Sequence, residues 1–280
     1  MVVTGSSSGI GLATATALAK AGATVVLGVR NPPKGDAVAA QIRAATGAEV
    51  SVEEIELGSL ASIAAFAARV AAQPVHLLIN NAGLSSSDPT ATTNDGFDLQ
   101  VGVNYLGAYA LTAGLWPALA QAAGRVVMLG SMMATRGRIS DGLGEPPGST
   151  YRSYSDSKLA TVVFAAELRR RCSQASSPVS AVAAHPGWAQ TAIFATAGPP
   201  SFINWVGKIT SSIQSPADAA QPLLLAATAV DPAPYNGPQH RAGAAGPAGP
   251  VPLPAAALVD GAGLKVWEIS RRLTGCTLQP

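Results

Sequence analysis

The sequence predicts a doubly wound α/β fold, a single domain spanning 1–280 with a central parallel sheet flanked by helices. Three observations carry that prediction. Short apolar, β-branched runs alternate with longer stretches of helix-forming composition, the pattern of repeated strand–helix units. Runs such as "TVVLGV" (24–29) and "VHLLIN" (75–80) are nearly continuously apolar, as suits strands covered on both faces. A glycine-rich turn, "TGSSSGIG" (4–11), separates the first run from the first helical stretch. With 280 residues, 48% of them hydrophobic, the chain has ample material for one large core.

Taken in order, the predicted strands are Met1–Thr4, Thr24–Val29, Val50–Ile55, Val75–Asn80, Arg125–Leu129 and Val179–Ala184. Helices are expected at Ile10–Ala21, Lys34–Thr46, Leu60–Ala72, Asp95–Ala122 and Ser153–Cys172. After His185 the order weakens. A stretch rich in Pro, Gly, Ser and aromatics suggests a substrate lid around 188–215, followed by a helix at Pro216–Ala227. Residues 231–262 are Pro, Gly and Ala-rich and read as irregular, and a helical pattern returns around "LKVWEISRRL".

Composition excludes several function classes. Cys172 and Cys276 lie far apart without metal-ligand neighbours, so neither a disulfide framework nor a metal site is expected. A net charge of +2 gives no basic stripe for nucleic acid. No apolar run is long enough for a transmembrane helix, and the first residues lack a signal-peptide layout. The expected location is therefore the cytoplasm. The glycine turn begins after only three residues, so its supporting strand must be very short and its hold on a ligand correspondingly weak.

At a strand-to-helix turn, free backbone amides and the positive end of the helix dipole point at whatever binds there. In that setting Gly5 makes the sharp turn, Gly9 admits phosphates to the backbone, and Gly11 lets helix and strand pack closely. Taken alone the loop fits a plain capped turn as well. The second strand ends in Val29-Arg30, where a dinucleotide fold reads the adenosine ribose. An acidic side chain there would favour NAD, and an Arg accommodates the 2′-phosphate of NADP. NADP (NADPH) is thus expected over NAD, with Lys34 close by.

Further motifs follow in a fixed order: "NNAG" at 80–83, Asn104, Ser131, Tyr154-x-x-x-Lys158 and "HPGWAQT" at 185–191. Together with the glycine loop, this order resembles the short-chain dehydrogenase/reductase family, up to about Thr191. "DGFDLQVGVNYLGAYALT", "YSDSKLATVVFAAELRRR" and the closing "VWEISRRLTG" are most similar to its retinol-dehydrogenase and protochlorophyllide-reductase-like branch. The resemblance implies a Rossmann-type cofactor domain and an NADP-dependent oxidoreductase acting on CH–OH or C=O groups.

The residue types suit that chemistry. Exchanging a carbonyl and an alcohol needs a hydride, which a nicotinamide handles, and a proton, which a side chain must handle. A phenol of pKa about 10 becomes a useful base only if depressed by about three units, roughly 4 kcal/mol. Lys158 stands four residues after Tyr154, on the same helical face, as a source of that shift, whereas Tyr151 has Ser155 there. The resemblance implies Tyr154 as acid/base and Lys158 as its pKa-lowering partner and ribose ligand. It implies Ser131 as donor to the substrate oxygen and Asn104 as organiser of a proton relay.

By the same resemblance, cofactor contacts come from Thr4, Gly5, Ser7, Ser8, Gly9, Ile10 and Gly11, from Arg30 and Asn31, and from Glu56 and Leu57. Asn81, Ala82 and Gly83 after the fourth strand, Tyr154, Lys158, Pro186, Gly187 and Thr191 complete the set, with Asn80 and Gly83 packed toward the adenine side and the glycine loop. His185 is expected to be structural. The chain departs from the family pattern in Glu56-Leu57 for Asp-Leu, His76 for Asp, and Gly130-Ser131 for Ser-Ser. Apolar residues Trp188, Ile193, Phe194, Phe202, Ile203, Trp205 and Val206 suggest a hydrophobic small-molecule substrate. A homodimer through the helices around Asn104 and Tyr154 is possible on this pattern. The competing reading is a cofactor-binding sensor or scaffold without turnover.

Overall fold

A computed structural model describes residues 1–189 and 213–280. Its described strands form one eight-stranded sheet in the order β3-β2-β1-β4-β5-β6-β7-β8. They are β1 (Val2–Thr4), β2 (Val25–Val29), β3 (Val50–Glu54), β4 (Leu77–Asn80), β5 (Arg125–Leu129), β6 (Ser180–Ala184), β7 (Tyr235–His240) and β8 (Ala245–Pro250). All neighbours are parallel except β7 and β8, which pair antiparallel.

Successive strand residues feed opposite layers, as a pleat dictates. Val2, Leu78, Val126 and Met128 pack into one core cluster, while Val3, Leu77, Ile79, Val127 and Leu129 pack into another. The second layer holds α1 (Gly9–Lys20), α2 (Pro32–Thr46) and α8 (Pro216–Thr228). The first holds α3 (Leu60–Val70), the short α4 (Leu99–Val101), α5 (Gly107–Gly114), α6 (Trp116–Gln121), α7 (Thr150–Gln174) and α9 (Ala262–Thr274). Local chemistry sets the boundaries: Asn31 caps α2 ahead of Pro32, left-handed Gly47 ends it, and Ser149 caps α7.

Short as β1 is, it lies between β2 and β4, pairs with both, and is fully buried. Strand order reverses on its two sides, so the crevice for a ligand opens between the ends of β1 and β4.

Two expectations need correcting. The helix expected over Asp95–Ala122 is broken: α4 runs into a π-helical turn, Gly102–Leu106, before α5 and α6. Glycines bracket the turn at close approaches, since a Cβ on Gly102 would overlap Thr93 and one on Gly107 would overlap the Leu57 carbonyl. The segment 231–262 is not irregular throughout, since it supplies β7, β8 and two short 3-10 turns, Arg241–Gly243 and Ala255–Ala257. On the same side of the sheet, α9 packs over Tyr105, Tyr109 and Phe164. Tyr105 hydrogen-bonds Ser270, Tyr109 donates to the Cys276 carbonyl at 3.1 Å, and Trp267 packs on Tyr109 and Phe164. No described helix is long and apolar enough to cross a membrane.

Candidate active site

The glycine turn links β1 to α1 and lines a groove of about 440 Å³. Gly5 and Gly9 take left-handed φ values of 65° and 56°, accessible to glycine at little cost. A Cβ on Gly11 would overlap the Asn81 amide and the Gly5 carbonyl, so glycine is needed there for close packing. A Cβ on Gly9 would meet no protein atom within 4 Å, which leaves the backbone open to a ligand. Ser8 stands at the N-cap of α1 without a side-chain capping bond and is exposed.

The turn is braced from β4. Thr4 Oγ1 accepts from the amides of Asn81 at 3.1 Å and Ala82 at 3.0 Å, and Asn81 Nδ2 donates to the carbonyls of Thr4 at 2.8 Å and Gly5 at 3.3 Å. Thr4 is therefore fully buried behind the groove, not on its lining. Asn80 turns the other way: its Nδ2 reaches Thr112 Oγ1 and Met128 Sδ inside the core, so it does not pack toward the adenine side as expected. Asn81 takes over the link to the glycine loop.

Ser7, Ser8, Ile10, Arg30, Asn31, Lys34, Glu56, Leu57, Ala82, Gly83 and Leu129 also line the groove. The Arg30 side chain is 77% exposed and 3.8 Å from Glu56, a contact of little energetic weight. The other Glu56 oxygen accepts from the Gly58 amide at 2.9 Å. The Asn31 side chain is occupied in capping α2 at the Lys34 amide. Backbone amides at the turn and cationic side chains at the rim suit a phosphate-bearing dinucleotide.

At the inner end, Tyr154 and Lys158 lie one turn apart on α7, with Nζ 5.9 Å from the phenol ring centre. Lys158 is 1% exposed, donates to the Leu129 carbonyl at 2.9 Å, and is lowered by burial to a pKa of about 8. Part of Tyr154 remains accessible, but its hydroxyl is enclosed, and burial raises its pKa, offset in part by a hydrogen bond with Ser131. Desolvation dominates, and the ammonium is directed at a carbonyl.

Ser131, two residues past β5, has extended backbone and caps the 3-10 segment Met132–Arg136. Its Oγ accepts from the Met133 amide at 3.2 Å, which leaves its own proton free to be donated. Asn104 sits in the π-helical turn, where Oδ1 accepts from the Leu84 amide at 2.7 Å and Nδ2 donates to the Leu84 carbonyl and to Ser157 Oγ. Ser157 Oγ donates onward to the Tyr154 carbonyl at 2.7 Å. A Cβ on Gly83 would lie 3.1 Å from Asn104 Oδ1 and 3.4 Å from Lys158 Nζ, so the loop after β4, the π-helical turn and α7 converge at one point.

Past β6, Pro186 accepts from Gln214 Nε2 at 2.7 Å, and the Gly187 amide donates to His185 Nδ1 at 3.2 Å. Burial lowers the His185 pKa to about 4, which keeps it a neutral structural group. Pro186 and Gly187 do not line the groove. Thr191 and the apolar residues from 193 to 206 lie outside the described residues.

Sequence reasoning missed Ser157, Gln214 and Tyr235, which buttress the site from behind. The position of Ser157 three residues after Tyr154 is a usable signal; nothing in the sequence marks the other two.

The family model described as short chain dehydrogenase matches residues 1–200. Polyprenol dehydrogenase of Mus musculus is 37% identical over 243 residues, 81% of this chain and 71% of that protein. Retinol dehydrogenase 11 of Homo sapiens is 38% identical over 231 residues, 80% of this chain and 71% of its own length. The crystal structure of an uncharacterized protein from Mycobacterium Paratuberculosis matches with a TM-score of 0.81 and 36% identity, covering 100% of this chain and 94% of that one. A glycine turn at the strand-order reversal and a family match over most of the chain lead to one conclusion: the chain belongs to the short-chain dehydrogenase family, in its retinol-dehydrogenase-like branch, and is an oxidoreductase.

Proposed function

We propose that the protein is an NADP-dependent oxidoreductase that interconverts a carbonyl and an alcohol on a hydrophobic small molecule. The observation that carries this reading is the convergence of Tyr154, Lys158, Ser131, Asn104 and Gly83 beside the groove of the glycine turn. The turn amides and Ser8 would hold the pyrophosphate, Arg30 and Lys34 the 2′-phosphate, and Lys158 the nicotinamide ribose. The bound nicotinamide would supply or accept the hydride.

The chain's own residues manage the proton and the orientation. Tyr154 passes its hydroxyl proton to the substrate oxygen during reduction and recovers it during oxidation, while Ser131 donates a hydrogen bond to the same oxygen. A Lys158 pKa near 8 lets that side chain carry or release a proton near neutral pH. Asn104 and Ser157 hold α7 against the π-helical turn, which keeps Tyr154 in register with Ser131. The NADP preference rests on Val29-Arg30, with Arg30 exposed and only weakly paired. The hydrophobic substrate class draws support from the apolar residues following His185 and from relatives named for polyprenol and retinol.

A panel of hydrophobic aldehydes, ketones and alcohols, including all-trans-retinal and decanal, followed by NADPH absorbance, tests the reading. Turnover of at least one apolar carbonyl is expected. NADPH binding without consumption across the panel would favour the sensor or scaffold instead. Fluorescence titration tests the cofactor: NADPH should bind at least tenfold tighter than NADH, and Arg30→Ala should erase the difference.

A further inference from the structure

Tyr235 is the one phenol near the catalytic end to which the mechanism above gives no role. It is the first residue of β7, in register with Ala183 of β6, and only 5% exposed. Its hydroxyl points away from the strand toward the end of β5, where it donates to the Ser131 carbonyl at 3.3 Å. The same carbonyl accepts from the Ala134 amide at 3.0 Å, while the Ser131 side chain accepts from the Met133 amide. Ser131 is thus held at both ends, and β7 reaches it only through Tyr235.

We propose that Tyr235 is a positioning residue for Ser131, fixing the carbonyl of the β5 end so that the serine hydroxyl faces Tyr154 and the substrate oxygen. This inference rests on the tetrad reading above. Ser131 lies in the link between β5 and the 3-10 segment Met132–Arg136, which it caps, so rotation about its backbone would swing Oγ out of reach of Tyr154. The donated hydrogen bond opposes that rotation. Gly130 fits the arrangement: a Cβ there would lie 3.2 Å from Tyr235 Oη and 2.9 Å from Val162 Cγ2, so a bulkier residue would press on the phenol. The glycine that departs from the family's Ser-Ser pattern thereby leaves Tyr235 room to reach Ser131. The His185 ring, 5.3 Å from the Tyr235 ring, supports it from the other side. Burial keeps the Tyr235 hydroxyl protonated, so it acts as a fixed donor.

Steady-state kinetics with NADPH and decanal, or the best carbonyl of the panel, test the inference in four proteins: wild type, Tyr235→Phe, Ser131→Ala and the double variant. Tyr235→Phe should lower kcat about five- to tenfold, as expected for one hydrogen bond, with the KM for NADPH within twofold and an unchanged melting temperature. In the Ser131→Ala background the same change should alter kcat less than twofold, because the group it positions is gone. Equal losses in both backgrounds, or no loss in wild type, would overturn the role of Tyr235. Tyr154→Phe serves as control: full activity in that variant would instead defeat the underlying mechanism.

Discussion

The two ends of the groove are held by different physics. Around the glycine turn, Thr4, Asn81 and Ala82 are joined by short-range hydrogen bonds, Ser6 Oγ is buried without a partner among the described residues, and the charged residues beside them, Arg30 and Glu56, stay near water. Around Lys158 and Tyr154, ionisable groups are buried and their pKa values are displaced by desolvation. The first arrangement is stable as it stands and waits for a ligand. The second is costly to keep, which is the signature of a group retained for chemistry.

Substitutions should separate the two ends. The largest expected effect is on turnover: Tyr154→Phe should cut kcat about a thousandfold while the NADPH dissociation constant stays within twofold. Retained activity would remove the chemical end of the contrast.

Lys158→Met should next reveal the cost of burial. The folded pKa of about 8 lies below the unfolded 10.5, so between those values the unfolded chain binds more protons and stability rises with pH. Below pH 8 the charge therefore destabilises the fold by up to about 3 kcal/mol. In ligand-free protein at pH 7 the variant should melt higher than wild type, less what the unpaired Leu129 carbonyl costs, and the gain should fade as pH approaches 10.5. A melting-temperature difference between variant and wild type that does not change between pH 7 and pH 10 would mean that burial of the Lys158 charge does not destabilise the fold.

Gly11→Ala should act in the opposite sense at the other end. Its Cβ would collide with Asn81 and Gly5, at a cost of about 1–3 kcal/mol in stability and a more than tenfold loss in NADPH affinity. Isothermal titration and thermal melting would check both. The mildest change, Asn81→Ala, removes two bonds to the turn and should weaken NADPH binding about five- to tenfold with kcat nearly intact. A kcat loss larger than the binding loss would show that the two ends are coupled.

Legibility followed the same divide. The glycine turn announces itself because positive φ and close approach restrict its residue types. Tyr154 and Lys158 were legible because i and i+4 must share a helical face. The π-helical turn carrying Asn104 was not, since its apolar, small-residue sequence suits an unbroken helix. The turn lies where Gly102 and Gly107 come close to Thr93 and Leu57, distant contacts that the local pattern does not show. Strands β7 and β8, "YNGPQH" and "AGPAGP", carry prolines and glycines that argue against strand. They are tolerated because β7 pairs with β6 only at Tyr235 and Asn236, which leaves Pro238 beyond the shared ladder, and because β8 is the sheet edge.

By itself, then, the sequence determined the parallel sheet, the place of the glycine turn between its first strand and first helix, and the shared helical face of Tyr154 and Lys158, all consequences of local periodicity and backbone preference. Tertiary structure alone decided that Asn81 rather than Asn80 braces the turn and that the C-terminal segment packs over Tyr105 and Tyr109. It likewise decided that burial shifts Lys158 and Tyr154 and that Tyr235 reaches Ser131. Each of these depends on which distant groups meet in a desolvated interior, and no local pattern in a chain encodes that.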